Sequence, residues 1–161
     1  ARGNIKAKRR GRFKIWIRRE GRQVRVLADL RNLDLALLKP IYIKTSPVYF
    51  ERGFVTWTSS GRLSAKRLYS KNRIKIESPI MKSTVGWSSE NEAVLRALNR
   101  KPSFELNFKL VGTPESPAFQ GFDDSLVNIL KKDFNPAMLR LIRARTTEEL
   151  DKFTRELALA A

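Results

Sequence analysis

Phe13-Lys14-Ile15-Trp16-Ile17-Arg18 is the stretch on which the fold turns. Successive side chains of an extended chain point to opposite faces. Phe13, Ile15 and Ile17 therefore share one face, and Arg12, Lys14, Trp16 and Arg18 share the other. Glu20-Gly21 supplies a turn and the alternation resumes from Arg22 to Leu27, so residues 13–28 read as a β-hairpin. Its outer face carries Lys14, Trp16 and Arg18, joined by an alternate set from the return strand that includes Arg25. A tryptophan among cations is a surface on which an unpaired base can stack. The plainer alternative is a sheet residue partly covered by arginine stems.

Upstream, residues 1–12 hold Arg2, Lys6, Lys8, Arg9, Arg10 and Arg12 with Ile5 as the one large apolar residue. This composition reads as a flexible basic arm that lies on phosphates or serves as a solvated tail. Downstream, Leu30, Leu33, Leu37 and Leu38 recur at helical spacing and Pro40 follows, which predicts a short helix over 29–39 covering the hairpin. Short β-rich pieces are expected at 41–44, 48–50, 54–58 and 73–77, divided by Pro47, Gly53 and Ser59-Ser60-Gly61. Between Gly61 and Lys75 a second basic cluster gathers Arg62, Lys66, Arg67, Lys71, Arg73 and Lys75 around Tyr69.

The second half reads as ordinary domain architecture. Ser89-x-x-Glu92 has the form of a capping box opening a helix through Leu98. Phe104, Leu106, Phe108 and Leu110 alternate with Glu105, Asn107 and Lys109, the clearest strand in the chain. Residues 112–122 contain two prolines and two glycines and read as a loop. Three helices are then expected: one capped by Asp123 and Asp124, one opened by Asn135-Pro136, and one opened by Thr146-x-x-Glu149. Their apolar stripes are core, or a surface that docks onto another copy.

The predicted class is therefore α+β: a twisted, mainly antiparallel sheet from the first two-thirds, helices packed on one side, and a helical C-terminus. The expected organisation is an arm over 1–12 and one domain over 13–161. That domain has a basic β-rich half at 13–78 and a charge-neutral half at 79–161.

Charge is the strongest functional signal. The net charge is +17, and residues 1–75 hold 21 Lys and Arg against Glu20, Asp29, Asp34 and Glu51. The rest of the chain balances 12 cations with 12 acids. A protein that needed only solubility would spread its charge. Segregated charge makes a field that attracts polyanions with an affinity that falls steeply with salt.

Much chemistry is excluded. There is no Cys and no His, which removes disulfides, thiolate catalysis, zinc sites of the finger type and the commonest general base. No Walker loop, Gly-x-Gly-x-x-Gly or Gly-x-Ser-x-Gly occurs. No zinc finger, zipper or KH Gly-x-x-Gly is present, nor the aromatic motifs of an RRM. No run approaches the roughly 18 apolar residues of a membrane helix. The expected setting is intracellular, cytoplasmic or nuclear, or within a virus particle.

The leading expectation is a non-enzymatic RNA- or DNA-binding protein without a cofactor. Its contacts would be Arg2, Lys6, Lys8, Arg9, Arg10 and Arg12 of the arm, then Lys14, Trp16, Arg18 and Arg25 of the hairpin. The loop cluster would add Arg62, Lys66, Arg67, Tyr69, Lys71, Arg73 and Lys75. The first alternative is a structural protein of a virus or phage particle, its arm facing the genome and its C-terminal helices joining subunits. The second is a magnesium nuclease drawing on Asp29, Asp34, Glu51 and Glu77, because Mg²⁺ takes oxygen ligands and needs no histidine.

Overall fold

The computed structural model describes residues 2–5, 11–42, 48–83, 86 and 88–160. Among them, seven strands form one sheet whose spatial order is the chain order, each neighbour antiparallel to the last. The strands are β1 (Arg2–Ile5), β2 (Gly11–Glu20), β3 (Gln23–Asp34), β4 (Val48–Leu63), β5 (Leu68–Ser83), β6 (Ser103–Gly112) and β7 (Pro117–Gln120). A 3₁₀ turn (Leu35–Leu38) and the short α1 (Lys39–Tyr42) link β3 to β4, and α2 (Ser89–Asn99) links β5 to β6. After β7 come α3 (Phe122–Leu130) and the long α4 (Pro136–Ala160). The α+β class follows. The sheet is continuous across the boundary between the basic and neutral halves, because β6 pairs with β5 along ten residues.

The hairpin reading of 13–28 holds. Phe13, Ile15 and Ile17 stand opposite Leu30, Ala28 and Val26, and Gly21 turns the chain with φ 62°, a left-handed value that costs glycine nothing. Period-two alternation continues strand by strand, so residues in register share a face. One apolar row runs Phe13, Leu30, Trp57, Ile74, Leu106 across five strands. A second runs Leu33, Val55, Ile76, Phe104.

The helices cover this side of the sheet. Leu95 and Leu98 of α2 and Phe122, Leu126 and Ile129 of α3 pack on the buried set Leu33, Val55, Ile76, Phe104 and Leu106. A second cluster of Ala97, Leu130 and Ile142 ties α2, α3 and α4 together. Leu130 is completely buried there, worth about 2 kcal/mol relative to an exposed side chain. Phe108 touches Phe119 and Phe122 at centroid distances of 5.4 and 5.6 Å, and Phe153 of α4 reaches Phe119 at 6.2 Å. Much of the apolar stripe of the last two helices thus faces the sheet and the neighbouring helices, while Leu141 and Phe153 of α4 stay exposed.

Several expectations are corrected. The helix over 29–39 is the end of β3 followed by the 3₁₀ turn, with Asp34 accepting from the Ala36 N–H as its cap, and Pro40 lies inside α1 and does not end a helix. The strand expected at 41–44 begins in α1, and residues 43 and 44 lie outside the described residues. The pieces at 48–50 and 54–58 are one strand, β4, and the strand expected at 73–77 lies within the longer β5, which also takes in residues 68–72 of the basic cluster. Ser88, one residue before the expected cap, caps α2 by accepting from the Asn91 N–H.

The loop expected over 112–122 contains β7. Gly121 occupies the cap position of α3, and Asp123 and Asp124 lie in its first turn. The last two helices are one, α4. Thr146 and Thr147 donate to the carbonyls of Ile142 and Arg143 four residues back, the bonding of residues inside a helix. Within the proposed arm, Arg2–Ile5 form β1 on the edge of the sheet and Arg12 belongs to β2, whereas Lys6, Lys8, Arg9 and Arg10 lie outside the described residues.

Candidate nucleic-acid interface

The face of the sheet away from the helices collects the cations. Alternation sends Arg12, Lys14, Trp16 and Arg18 of β2 to this side, with Arg25, Leu27, Asp29 and Arg31 of β3 opposite them. Antiparallel pairing then adds Thr58, Ser60 and Arg62 of β4, Tyr69, Lys71, Arg73 and Lys75 of β5, and Glu105, Asn107 and Lys109 of β6.

Two rows across the strands define the site. The first runs Arg18, Arg25, Arg62, Tyr69, and the second runs Trp16, Leu27, Ser60, Lys71, Lys109, Gln120. In both, cations of like sign stand directly opposite one another, an arrangement that destabilises a sheet by up to about 1 kcal/mol per pair. From β2 to β7 the second row crosses five strand spacings, about 24 Å.

Pairing divides these cations into two classes. Arg31 is held by Asp29 at 2.9 Å, Lys75 by Glu77 at 2.8 Å, and Arg73 by Glu105 at 2.6 Å. The Arg73 hydrogen bond, reinforced by one from Asn107, holds the Glu105 carboxyl below its usual range. The same contact raises the Arg73 guanidinium above its ordinary value. Arg18 has Glu20 at 4.0 Å with its side chain 81% exposed, a contact that contributes little. Arg12, Lys14, Arg25, Arg62, Lys71 and Lys109 form no salt bridge among the described residues. Six charges without carboxylate partners therefore lie on one face.

The surface between them is indented. A hollow of about 430 Å³ lies over Lys71, Arg73, Asn107, Lys109 and Gln120, floored by Thr58 and Ser60. It adjoins one of about 260 Å³ among Arg25, Ser60, Arg62, Tyr69 and Lys71. A further hollow of about 470 Å³ lies among Trp16, Arg18, Arg25 and Leu27. Shared walls at Ser60, Lys71 and Arg25 make these one track from β7 to β2.

The structure brings most of the expected contact residues together and reassigns some. Lys14, Trp16, Arg18, Arg25, Arg62, Tyr69, Lys71, Arg73, Lys75 and Arg12 share the open face, although Arg73 and Lys75 are already occupied by acids. Lys66 and Arg67 sit at the β4–β5 turn, which Ser64 closes by donating its N–H to the Arg67 carbonyl at 2.8 Å. Sequence reasoning missed Lys109, Asn107 and Gln120. The signal for the first two was present in the alternation of 104–110, but nothing in it says that β6 lies beside β5.

The acids considered for a metal site are dispersed over other tasks. Asp29 holds Arg31, Asp34 caps the 3₁₀ turn, Glu51 pairs with Lys82, and Glu77 pairs with Lys75. Among the described residues no helix is long and apolar enough to cross a membrane. Comparison with protein-family models, with curated proteins and with solved structures finds no match to the chain.

Proposed function

We propose that this chain binds nucleic acid without catalysing a reaction, by laying a phosphate backbone across the open face of its sheet. One observation carries the reading: the rows Arg18–Arg25–Arg62 and Lys71–Lys109 set like charges directly opposite each other with little or no acid between them. Such rows weaken the sheet, and a bound polyanion is what turns that cost into affinity. Serine, threonine, asparagine and glutamine in the same track donate to phosphate and sugar oxygens, contacts that position a backbone without reading sequence.

The test is the salt dependence of binding to a short oligonucleotide. Neutralisation by the six cations without acid partners gives a slope of log K against log[salt] of about −5 for duplex and about −4 for single strands. A slope shallower than about −2 rules out this face as the contact surface.

A further inference from the structure

We infer that the preferred ligand is a single strand, with unpaired bases seated on Trp16 and Tyr69 and the intervening backbone held by Arg25. The inference rests on the nucleic-acid reading above and adds what the charges alone do not decide. Trp16 is 49% exposed and Tyr69 is 40% exposed, on the same open face of the sheet. The apolar core lies on the other side, so neither ring is needed to fill it.

Each aromatic borders its own hollow, and each hollow has two or more cations in its wall. Trp16 stands directly opposite Leu27, which extends the apolar floor beneath a seated base, with Arg18 and Arg25 alongside. Tyr69 stands directly opposite Arg62, with Arg25 and Lys71 completing the wall. A flat ring flanked by guanidinium or ammonium groups takes a base on its face and the adjoining phosphate on the cation. The faces of a base inside a duplex are already covered by its neighbours, so a duplex reaches the cations and leaves both rings bare.

Spacing sets the number of nucleotides. Trp16 on β2 and Tyr69 on β5 are three strand spacings apart and two residues offset along the strands, together about 16 Å. Stacked neighbours in a strand lie about 3.4 Å apart, so the two rings hold bases that are not adjacent. Arg25 lines both hollows, which places it against the backbone between them.

The experiment measures binding of the intact chain to a 20-nucleotide thymidine oligonucleotide, to a uridine oligoribonucleotide of the same length, and to the duplex of each with its complement of the same sugar. All four are run at one salt concentration. The tighter of the two single strands serves for the comparison with its own duplex. It is expected to bind at least tenfold more tightly than the duplex. Trp16→Ala and Tyr69→Ala are each expected to cost roughly tenfold on the single strand and less than twofold on the duplex. Trp16→Phe should restore most of the loss, and thermal unfolding should be nearly unchanged. Equal affinity of the unaltered chain for both forms, or equal losses on both from the variants, overturns the inference while the salt slope still stands. Because the first comparison needs no variant, a misfolded Trp16→Ala protein does not remove the test.

Discussion

Lys71 on β5 and Lys109 on β6 stand directly opposite each other in the ladder, both exposed and neither joined to an acid among the described residues. A sheet that answered only to its own stability would place a carboxylate at one of the two. Lys109→Glu makes that change. It creates a cross-strand pair, so the melting temperature should hold or rise by one or two degrees. Nucleic-acid affinity should fall at least tenfold, because one contact is lost and another is neutralised, and the salt slope should become shallower by about 1.5. Unchanged binding would place the ligand elsewhere.

Arg73 is the reserve charge of the same face, held by Glu105. Glu105→Gln should release it, raising affinity several-fold and steepening the salt slope by about 0.7 for single strands. The stability effect has a definite sign. Glu105 is held below its ordinary value of 4.5, chiefly by the Arg73 hydrogen bond. Its contribution is therefore complete above that value and is lost as pH falls through the lowered one. Thermal melts taken from pH 6 down to pH 3 should separate less steeply for Glu105→Gln than for the unaltered chain. Coincident pH profiles would show that the ion pair adds nothing in solution.

The side of β5 that faces the helices carries a polar element in an otherwise apolar surface. Asn72 is buried, accepts from the Trp57 indole N–H at 3.2 Å and donates to the Ser70 hydroxyl at 2.9 Å. Asn72→Leu strands the indole donor, at a cost of about 1–3 kcal/mol, and Trp57→Phe in that background should recover part of it. Strict additivity of the two changes in urea unfolding would dismiss the coupling. Gly61 lies opposite Ser70, and a β-carbon there would stand 2.7 Å from both the Ser70 Cβ and the Tyr69 carbonyl oxygen. Gly61→Ala should therefore cost about 1–3 kcal/mol, roughly 2–4 °C per kcal/mol in melting temperature.

What the sequence disclosed and concealed follows from these same residues. β2, the start of β3 and β6 are legible because large apolar and charged residues alternate without interruption. The end of β3 imitates a helix. A bulge at Arg31 and Asn32, the latter at φ 53°, shifts the register so that Leu30 and Leu33 face the same way three residues apart. In β5 the inward positions opposite Ser59 and Gly61 are Asn72 and Ser70, so the alternation of Tyr69, Lys71 and Arg73 looks like a polar loop. Gly53 and Ser59-Ser60-Gly61 read as breaks in β4, yet they lie within it: the register slips around Gly53, and Gly61 admits the close approach of β5. Trp16 and the cations of the hairpin were identifiable as one surface, because alternation is local. That Lys109 completes a row with Lys71 was not, because strand order is a property of the whole sheet.

The final prediction separates a bound surface from mere net charge. Arg25 lies in the centre of the open face, opposite Arg18 on one side and Arg62 on the other, and lines two of its hollows. Lys132 is an exposed lysine in the turn after α3, on the helical side of the sheet. Arg25→Gln and Lys132→Gln each remove one positive charge, so a protein that attracts polyanions only through its overall field would lose the same affinity from either. If the backbone lies across the face, Arg25→Gln should reduce binding several-fold and make the salt slope shallower by about 0.7–0.9, the amount for one lost phosphate contact. Lys132→Gln should shift affinity less than twofold and leave the slope intact. Neither side chain carries the fold, so Lys132→Gln should melt within a degree or two of the unaltered chain, and Arg25→Gln, which relieves the like charges of Arg18 and Arg62, should melt at the same temperature or a few degrees higher. The measurement is a paired salt titration of the two variants on the same oligonucleotide. Parallel lines displaced by equal amounts would mean that the charge acts at a distance and that the open face holds no particular phosphate.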